Sequence, residues 1–281
     1  MNTMRKLREY LNRPLSFAVF LLIIISTVIT ALTVVFIIGY IFIKGVPNLS
    51  LDLFSLKYSS SNQSMLPSII NTLYLTALTL LLAVPIGIFS AIYLAEYSRK
   101  NSFFVKIINI ANETLSGIPS IVYGLFGFLA FVISKKWGYS LLAGVITLAI
   151  MVLPLIIRTS QEAMLGVDDT FREASYGLGA GKLRTVFKIV LPSAMPGILS
   201  GIILAIGRIV GETAALIYTA GTVPEAATKL TSSSRTISVH LYCLLNEGLY
   251  TEQAYATAVV LIVFVVIINA LSNALAKKIM K

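Results

Sequence analysis

Two charges interrupt an apolar stretch at residues 207–215, GRIVGETAA: Arg208 and Glu212. An arginine at the centre of a membrane helix costs about 2.5 to 3.5 kcal/mol on insertion scales, so a charge there needs a reason. Four residues apart on a continuous helix, the two would share a face and pair, the glutamate lowering the cost of the arginine. One reading makes the pair a structural tie between helices. The other gives Arg208 a chemical task, in which its planar, permanently charged fork donates hydrogen bonds to an oxyanion in transit. Glu212 would then temper that attraction, because conduction needs release as well as entry. Thr213 completes the polar set, and Gly207 and Gly211 form a GxxxG stripe that lets another helix come close.

A second polar set falls at the start of another apolar run, where Ser116 and Ser120 would lie on one helix face with Gly117, Gly124 and Gly127 close by. Pro119 frees backbone groups that need partners, so this span could line a polar pathway; close helix packing accounts for the glycines equally well. Glu113 reads as an interfacial or helix-start carboxylate. Pro85 and Pro154 read as tolerated kinks. Other chemistries have no basis in the sequence. With one cysteine, Cys243, and one histidine, His240, no disulfide, metal cluster or activated thiol can be assembled, and no catalytic set is expected. The run Gly177 to Lys182 imitates a phosphate loop, yet Tyr176 and Leu183 stand where that loop needs Gly and Ser/Thr. Leu115-Ser116-Gly117 imitates the start of an ATPase signature but opens an apolar span. The chain cannot cradle and hydrolyse ATP by itself.

The elements that must position these residues follow from composition. Of 281 residues, 57% are hydrophobic and 12% charged, about half the charge a water-facing surface carries. Apolar runs long enough to cross roughly 30 Å of hydrocarbon occur at about 17–43, 67–94, 115–133, 140–157, 197–220 and 253–275. The expected fold is an all-α polytopic membrane protein with six transmembrane helices. The first is an uncleaved signal anchor, since a cleaved peptide would have a shorter apolar region and a small-residue cleavage site.

Charge sets the orientation. Arg5, Lys6, Arg8, Arg13, Arg99, Lys100, Lys106, Arg158, Arg172, Lys182, Arg184, Lys188, Lys277, Lys278 and Lys281 fall on one side, fifteen against the six of Lys44, Lys57, Lys135, Lys136, Lys229 and Arg235. The positive-inside rule puts the larger group and both termini in the cytosol, and it explains the net charge of +10 without nucleic acid. Lys135 and Lys136 run against the bias; they snorkel to an interface beside Trp137, or weakly attract an external anion. The expected organisation is a cytosolic N-terminus at 1–16, a first helix at 17–43, an external loop at 44–65, one helical core at 66–276 and a tail at 277–281. His240 and Cys243 fall in an external stretch expected to pack on the core.

The longest cytosolic connection, about 158–194, contains Glu173-Ala174-Ser175, then Gly179, then Ile189-Val190-Leu191-Pro192 after nine residues. It reads as a short helix, a break at Gly179 and a second short helix stopped by Pro192. Such an elbow can fit a groove on a partner and transmit its movement. The spacing resembles the EAA loop of the membrane subunits of binding-protein-dependent ABC importers. The resemblance implies that Glu173, Ala174, Gly179, Ile189, Leu191 and Pro192 serve ATPase coupling.

Residues 66–276 resemble more narrowly the phosphate importer permeases, in GIPSIVYGLFG at 117–127, LPLIIRT at 153–159, the elbow, GRIVGETAALIYTAG at 207–221 and SVHLY at 238–242. They are closer to the PstA-like than the PstC-like member of the pair. The resemblance implies a type I importer core of five helices plus the N-terminal one, in a bacterial or archaeal cell membrane. It also implies a PstC-like sister permease, a PstB-like ATPase dimer carrying ATP and Mg, and a PstS-like external phosphate-binding protein. This chain itself would hold no cofactor. Alternatives are a permease for sulfate, molybdate or phosphonate, since Arg208 alone does not distinguish tetrahedral anions. An ion-coupled carrier would have no use for the elbow, and a membrane transferase would need a polar constellation that is missing.

Overall fold

The computed structural model describes residues 14–98 and 102–279, and every regular element among them is helical. Arg5, Lys6, Arg8, Arg13, Arg99, Lys100 and Lys281, used above for orientation, lie outside the described residues, as does most of the segment 1–16.

The long helices are α1 (Pro14–Gly45), α2 (Leu66–Ile92), α5 (Leu141–Leu165), α8 (Leu191–Gly211) and α11 (Thr251–Ile279). Between them come α3 (Phe103–Gly117), α4 (Ser120–Gly127), α6 (Asp169–Gly177), α7 (Lys182–Thr185), α9 (Ala214–Thr219) and α10 (Ile237–Glu247). Wider π-helical turns extend α2 through Tyr97, α4 through Ser134 and α7 through Val190. Five helices are long and apolar enough to cross a membrane, and α3 with α4 makes a sixth if that bent pair is one span. Helix α1 leans on α11, where Tyr40 meets Tyr255 edge to face at 6.0 Å and Gly45 sits on the Tyr255 backbone.

The core is built around α2, α5 and α8. Leu75, Leu148, Met151, Ile156, Ile209 and Leu216 are fully buried there, with Tyr123 of α4 at their edge. Lipid is as apolar as these side chains, so close van der Waals packing holds the helices together more than exclusion of water does. Small residues provide that closeness. At the far end from α6, Asn71 ties down the 221–236 segment, donating to the carbonyls of Glu225 (2.9 Å) and Arg235 (3.2 Å) and accepting from the Ala227 amide (2.8 Å). The stretch with His240 and Cys243 packs on the core as α10, with His240 fully buried.

Three expectations need correction. The run at 115–133 is not one helix: α3 and α4 meet at 101°. Residues that precede proline avoid the helical region, so Ile118 is extended (φ −71°, ψ 131°) and the chain turns before Pro119. Pro192 does not stop a short helix either, since helix continues from Lys182 to Gly211. The wide turn before Pro192, in which the Leu191 amide bonds the Val186 carbonyl, carries the helix past the missing proline donor. Finally, the run at 197–220 breaks at Glu212, which is extended (φ −71°, ψ 130°) and separates α8 from α9.

Candidate functional site

That last break dissolves the expected pair. Arg208 lies in the final turn of α8 and Glu212 beyond its end, so they share no helix face, and no ion pair joins them. Glu212 is buried. Its carboxylate accepts from the Ala215 amide at 3.1 Å, closing the start of α9, and its backbone carbonyl accepts from the Ser238 hydroxyl at 2.7 Å. Each charge is balanced by a helix end. The partial negative charge at the C-terminus of α8 favours Arg208, and the partial positive charge at the N-terminus of α9 favours Glu212.

Arg208 is half-buried and makes no hydrogen bond or ion pair with any described residue. Its charge is felt at Tyr123, whose hydroxyl donates to the Leu115 carbonyl at 2.8 Å across the α3–α4 bend. Gly207 and Gly211 beside it have open space where a Cβ would point. The GxxxG stripe expected to pack a helix therefore packs none among the described residues. Thr213 is half-buried at the break.

Ser116 and Ser120 are separated by the bend instead of sharing a face. Ser116 is exposed on α3 and donates to the Asn112 carbonyl at 2.7 Å; Ser120 is the first, half-buried residue of α4. For Gly124 and Gly127 the structure chooses packing. A Cβ on Gly124 would stand 2.8 Å from the Ala215 Cα, and one on Gly127 would strike Thr147. These two glycines press α4 against α9 and α5.

The first arm of the elbow and its break at Gly179 have the expected form. Asp168 caps α6 by accepting from the Thr170 amide at 2.9 Å, a bond that holds its carboxyl below the usual carboxylate range. Gly179, at φ +83°, makes the left-handed turn that ends the helix, and the Ala180 amide closes on the Ser175 carbonyl. Glu173, Ala174 and Gly179 are exposed, together with Phe171, Tyr176 and Leu183, and Leu178 is 90% exposed. Ile189 and Leu191 are half-buried against the core, while Pro192 is exposed.

Two features of the elbow escaped the sequence reading. The hydroxyls of Ser175 and Thr185 are buried and hydrogen-bonded at 2.8 Å, closing its two arms together. Arg172 bonds Glu96 at the end of α2, at 2.7 Å from Nη2 and 3.2 Å from Nε, and that partner raises its pKa further above the ordinary value. The sequence signal for this pair was a charge of each sign close to a span end, which does not identify a partner 76 positions away.

Long apolar helices, a half-buried arginine at a helix break and an exposed elbow between α5 and α8 together describe a polytopic membrane component. The chain belongs to the binding-protein-dependent transport system inner membrane component family, whose pattern matches residues 83–281. It is 35% identical over 222 residues to the phosphate transport system permease protein PstA of Haemophilus influenzae, covering 78% of each chain. It is 32% identical over 249 residues to the probable ABC transporter permease protein YqgI of Bacillus subtilis, covering 82% of this chain and 84% of that one. The fold resembles a solved bacterial alginate ABC importer (TM-score 0.67, 18% identity, 99% of this chain and 100% of that one). It also resembles the MetNI methionine transporter (TM-score 0.58, 17% identity, 76% and 94%).

Proposed function

We propose that this chain is a permease subunit of an ATP-driven importer of inorganic phosphate. The observation that carries the reading is the Arg208 guanidinium, half-buried in a membrane core and bonded to no described residue. A cation in that condition is available to a passing oxyanion, and the fork suits two oxygens at once. PstA-named relatives at about 35% identity support phosphate as that anion. Thr213, Ser120 and Ser116 lie toward the pathway in this reading, and Glu212 serves it indirectly by fixing the break. Gly207 and Gly211, open within the chain, face the sister permease.

The same reading assigns the exposed face of α6, with Glu173, Ala174 and Leu178, to a groove on a separate ATPase dimer that binds ATP and Mg. Phosphate is delivered by an extracytoplasmic binding protein. Both termini and the elbow lie in the cytosol, as the charge bias indicates. Core and appendage divide near residue 66, α1 being the appendage. The test is reconstitution of this chain with a sister permease and ATPase in proteoliposomes, with the binding protein added outside. Expected is ATP-dependent uptake of labelled phosphate that excess sulfate or molybdate does not suppress. Uptake that follows sulfate or molybdate instead would refute the choice of anion.

A further inference from the structure

An elbow that is only adjacent to the spans can turn without moving them. Backbone continuity links α6 to α5 through residues 166–168 and to α8 through α7. Helix α2 has no such link. Among the described residues its contacts with the elbow region are an apolar cluster including Ala91, Ile92, Val186 and Val190, a cation–π contact of Lys182 over the Tyr97 ring at 5.0 Å, and one hydrogen-bonded polar tie.

That tie is Arg172. Besides its two bonds to Glu96, it donates from Nη2 to the Met164 carbonyl at 2.8 Å, from Nη1 to the Val167 carbonyl at 2.7 Å and from Nη1 to the Asp169 carboxylate at 3.0 Å. Glu96 stands in the wide turn that closes α2, Met164 and Val167 at the end of α5, and Asp169 in the first turn of α6. A single guanidinium thus bonds three helix ends, and the ion pair is largely dry, its side chains 13% and 6% exposed. Sliding the end of α2 past the others breaks the charge-assisted bonds to Glu96 where little water is at hand to replace them, whereas Asp169, 77% exposed, is the wet member of the set. Ordinary cohesion does not require this arrangement, since the apolar cluster already fills the space beneath.

We propose that Arg172 is a positioning residue for energy coupling, which locks the elbow to the ends of α2 and α5 so that the three move as one body when the ATPase drives the elbow. The proposal rests on the importer reading. It adds that the drive reaches α2, a span the elbow does not touch through the chain. Lysine in its place keeps the charge but cannot hold a carboxylate and two carbonyls together.

The experiment uses the complete complex in nanodiscs with Cys243→Ser, spin labels at Arg184→Cys on the second arm of the elbow and Phe89→Cys on α2, and parallel uptake measurements in proteoliposomes. With Arg172 in place, the label separation should be one narrow distribution, unchanged when ATP is trapped. In Arg172→Gln the distribution should broaden and shift with ATP, while ATPase binding persists. Phosphate taken up per ATP hydrolysed should fall by roughly 5- to 150-fold, the usual range of coupling between linked sites. Arg172→Lys should restore part of both. Glu96→Gln keeps size and an acceptor, so it carries the test if Arg172→Gln does not assemble, and it should move both readouts the same way. An unchanged label distribution with unchanged uptake per ATP, in an assembled variant of either residue, overturns the proposal. A parent complex that fails to take up phosphate refutes the importer reading instead, and the label distances still report on the lock.

Discussion

Replacing Arg208 by glutamine tests the pathway most directly. The guanidinium has no hydrogen-bond or ion-pair partner among the described residues to lose, so the substitution orphans no carboxylate among them, and assembly with the ATPase should survive. What disappears is a charge-assisted contact with the anion. Hydrogen bonds to charged groups contribute about 1.5–3 kcal/mol. At 1.4 kcal/mol per factor of ten, that is about a 10- to 150-fold fall in phosphate uptake. Arg208→Lys should recover part of it, since a point charge lacks the fork. Because Glu212 bonds the Ala215 amide and not Arg208, Glu212→Gln should not rescue Arg208→Gln. Glutamine keeps an acceptor oxygen for that amide, so Glu212→Gln alone should be mild, whereas Glu212→Ala should cost about 0.5–2 kcal/mol as a lost cap. The assay is initial uptake of labelled phosphate in proteoliposomes, normalised to assembled complex. Near-normal uptake in Arg208→Gln, or its restoration by Glu212→Gln, would refute the reasoning and return Arg208 to a structural role.

Three further outcomes are expected. Gly179→Val forces a β-branched residue to φ +83°, straining the elbow by about 1–2 kcal/mol; phosphate-stimulated ATP hydrolysis should drop sharply while the complex still forms, and normal stimulation would contradict the assignment. Burial and the Arg235 charge hold His240 down to about 3, from an ordinary value of 6.5, so it is neutral when folded and gains a proton on unfolding below pH 6.5. Its stabilising contribution is therefore present above pH 6.5 and is lost as pH falls toward 3, about 2 kcal/mol between pH 7 and 5. Thermal unfolding at those two pH values should show a smaller difference in His240→Gln; an equal difference would show that other groups dominate. In a Cys243→Ser background, an impermeant thiol reagent should label cysteines at Ser60 or Ser233 in intact cells, and labelling at Lys182 would reverse the topology.

The spans and the elbow were legible because their signals are local. Apolar runs announce helices, and Glu173 to Gly179 to Pro192 fixes a spacing that only a bent connection uses. The bend at Ile118 was legible too, through the restriction proline places on its neighbour, yet the apolar run hid it. The relation of Arg208 to Glu212 was not. Spacing of four implies a shared face only on a continuous helix, and this helix ends where the Ser238 hydroxyl, 26 positions on, binds the Glu212 carbonyl. The Asn71 clamp and the Arg172 tie span still greater separations in sequence. Residue type marked these positions as polar and costly; tertiary structure alone supplied their partners.

The exchange of partners at the break between α8 and α9 has a kinetic consequence. An ion pair bridging two moving helices is a latch that each transport cycle must open, adding its Coulomb energy to the barrier. Here each charge travels with the backbone dipole that offsets it, Arg208 with α8 and Glu212 with α9. Relative motion of the two segments breaks no salt bridge at this point. In the importer reading proposed above, the rate of changing access is then set by packing and by the partner ATPase, and Arg208 stays open to an anion throughout the stroke.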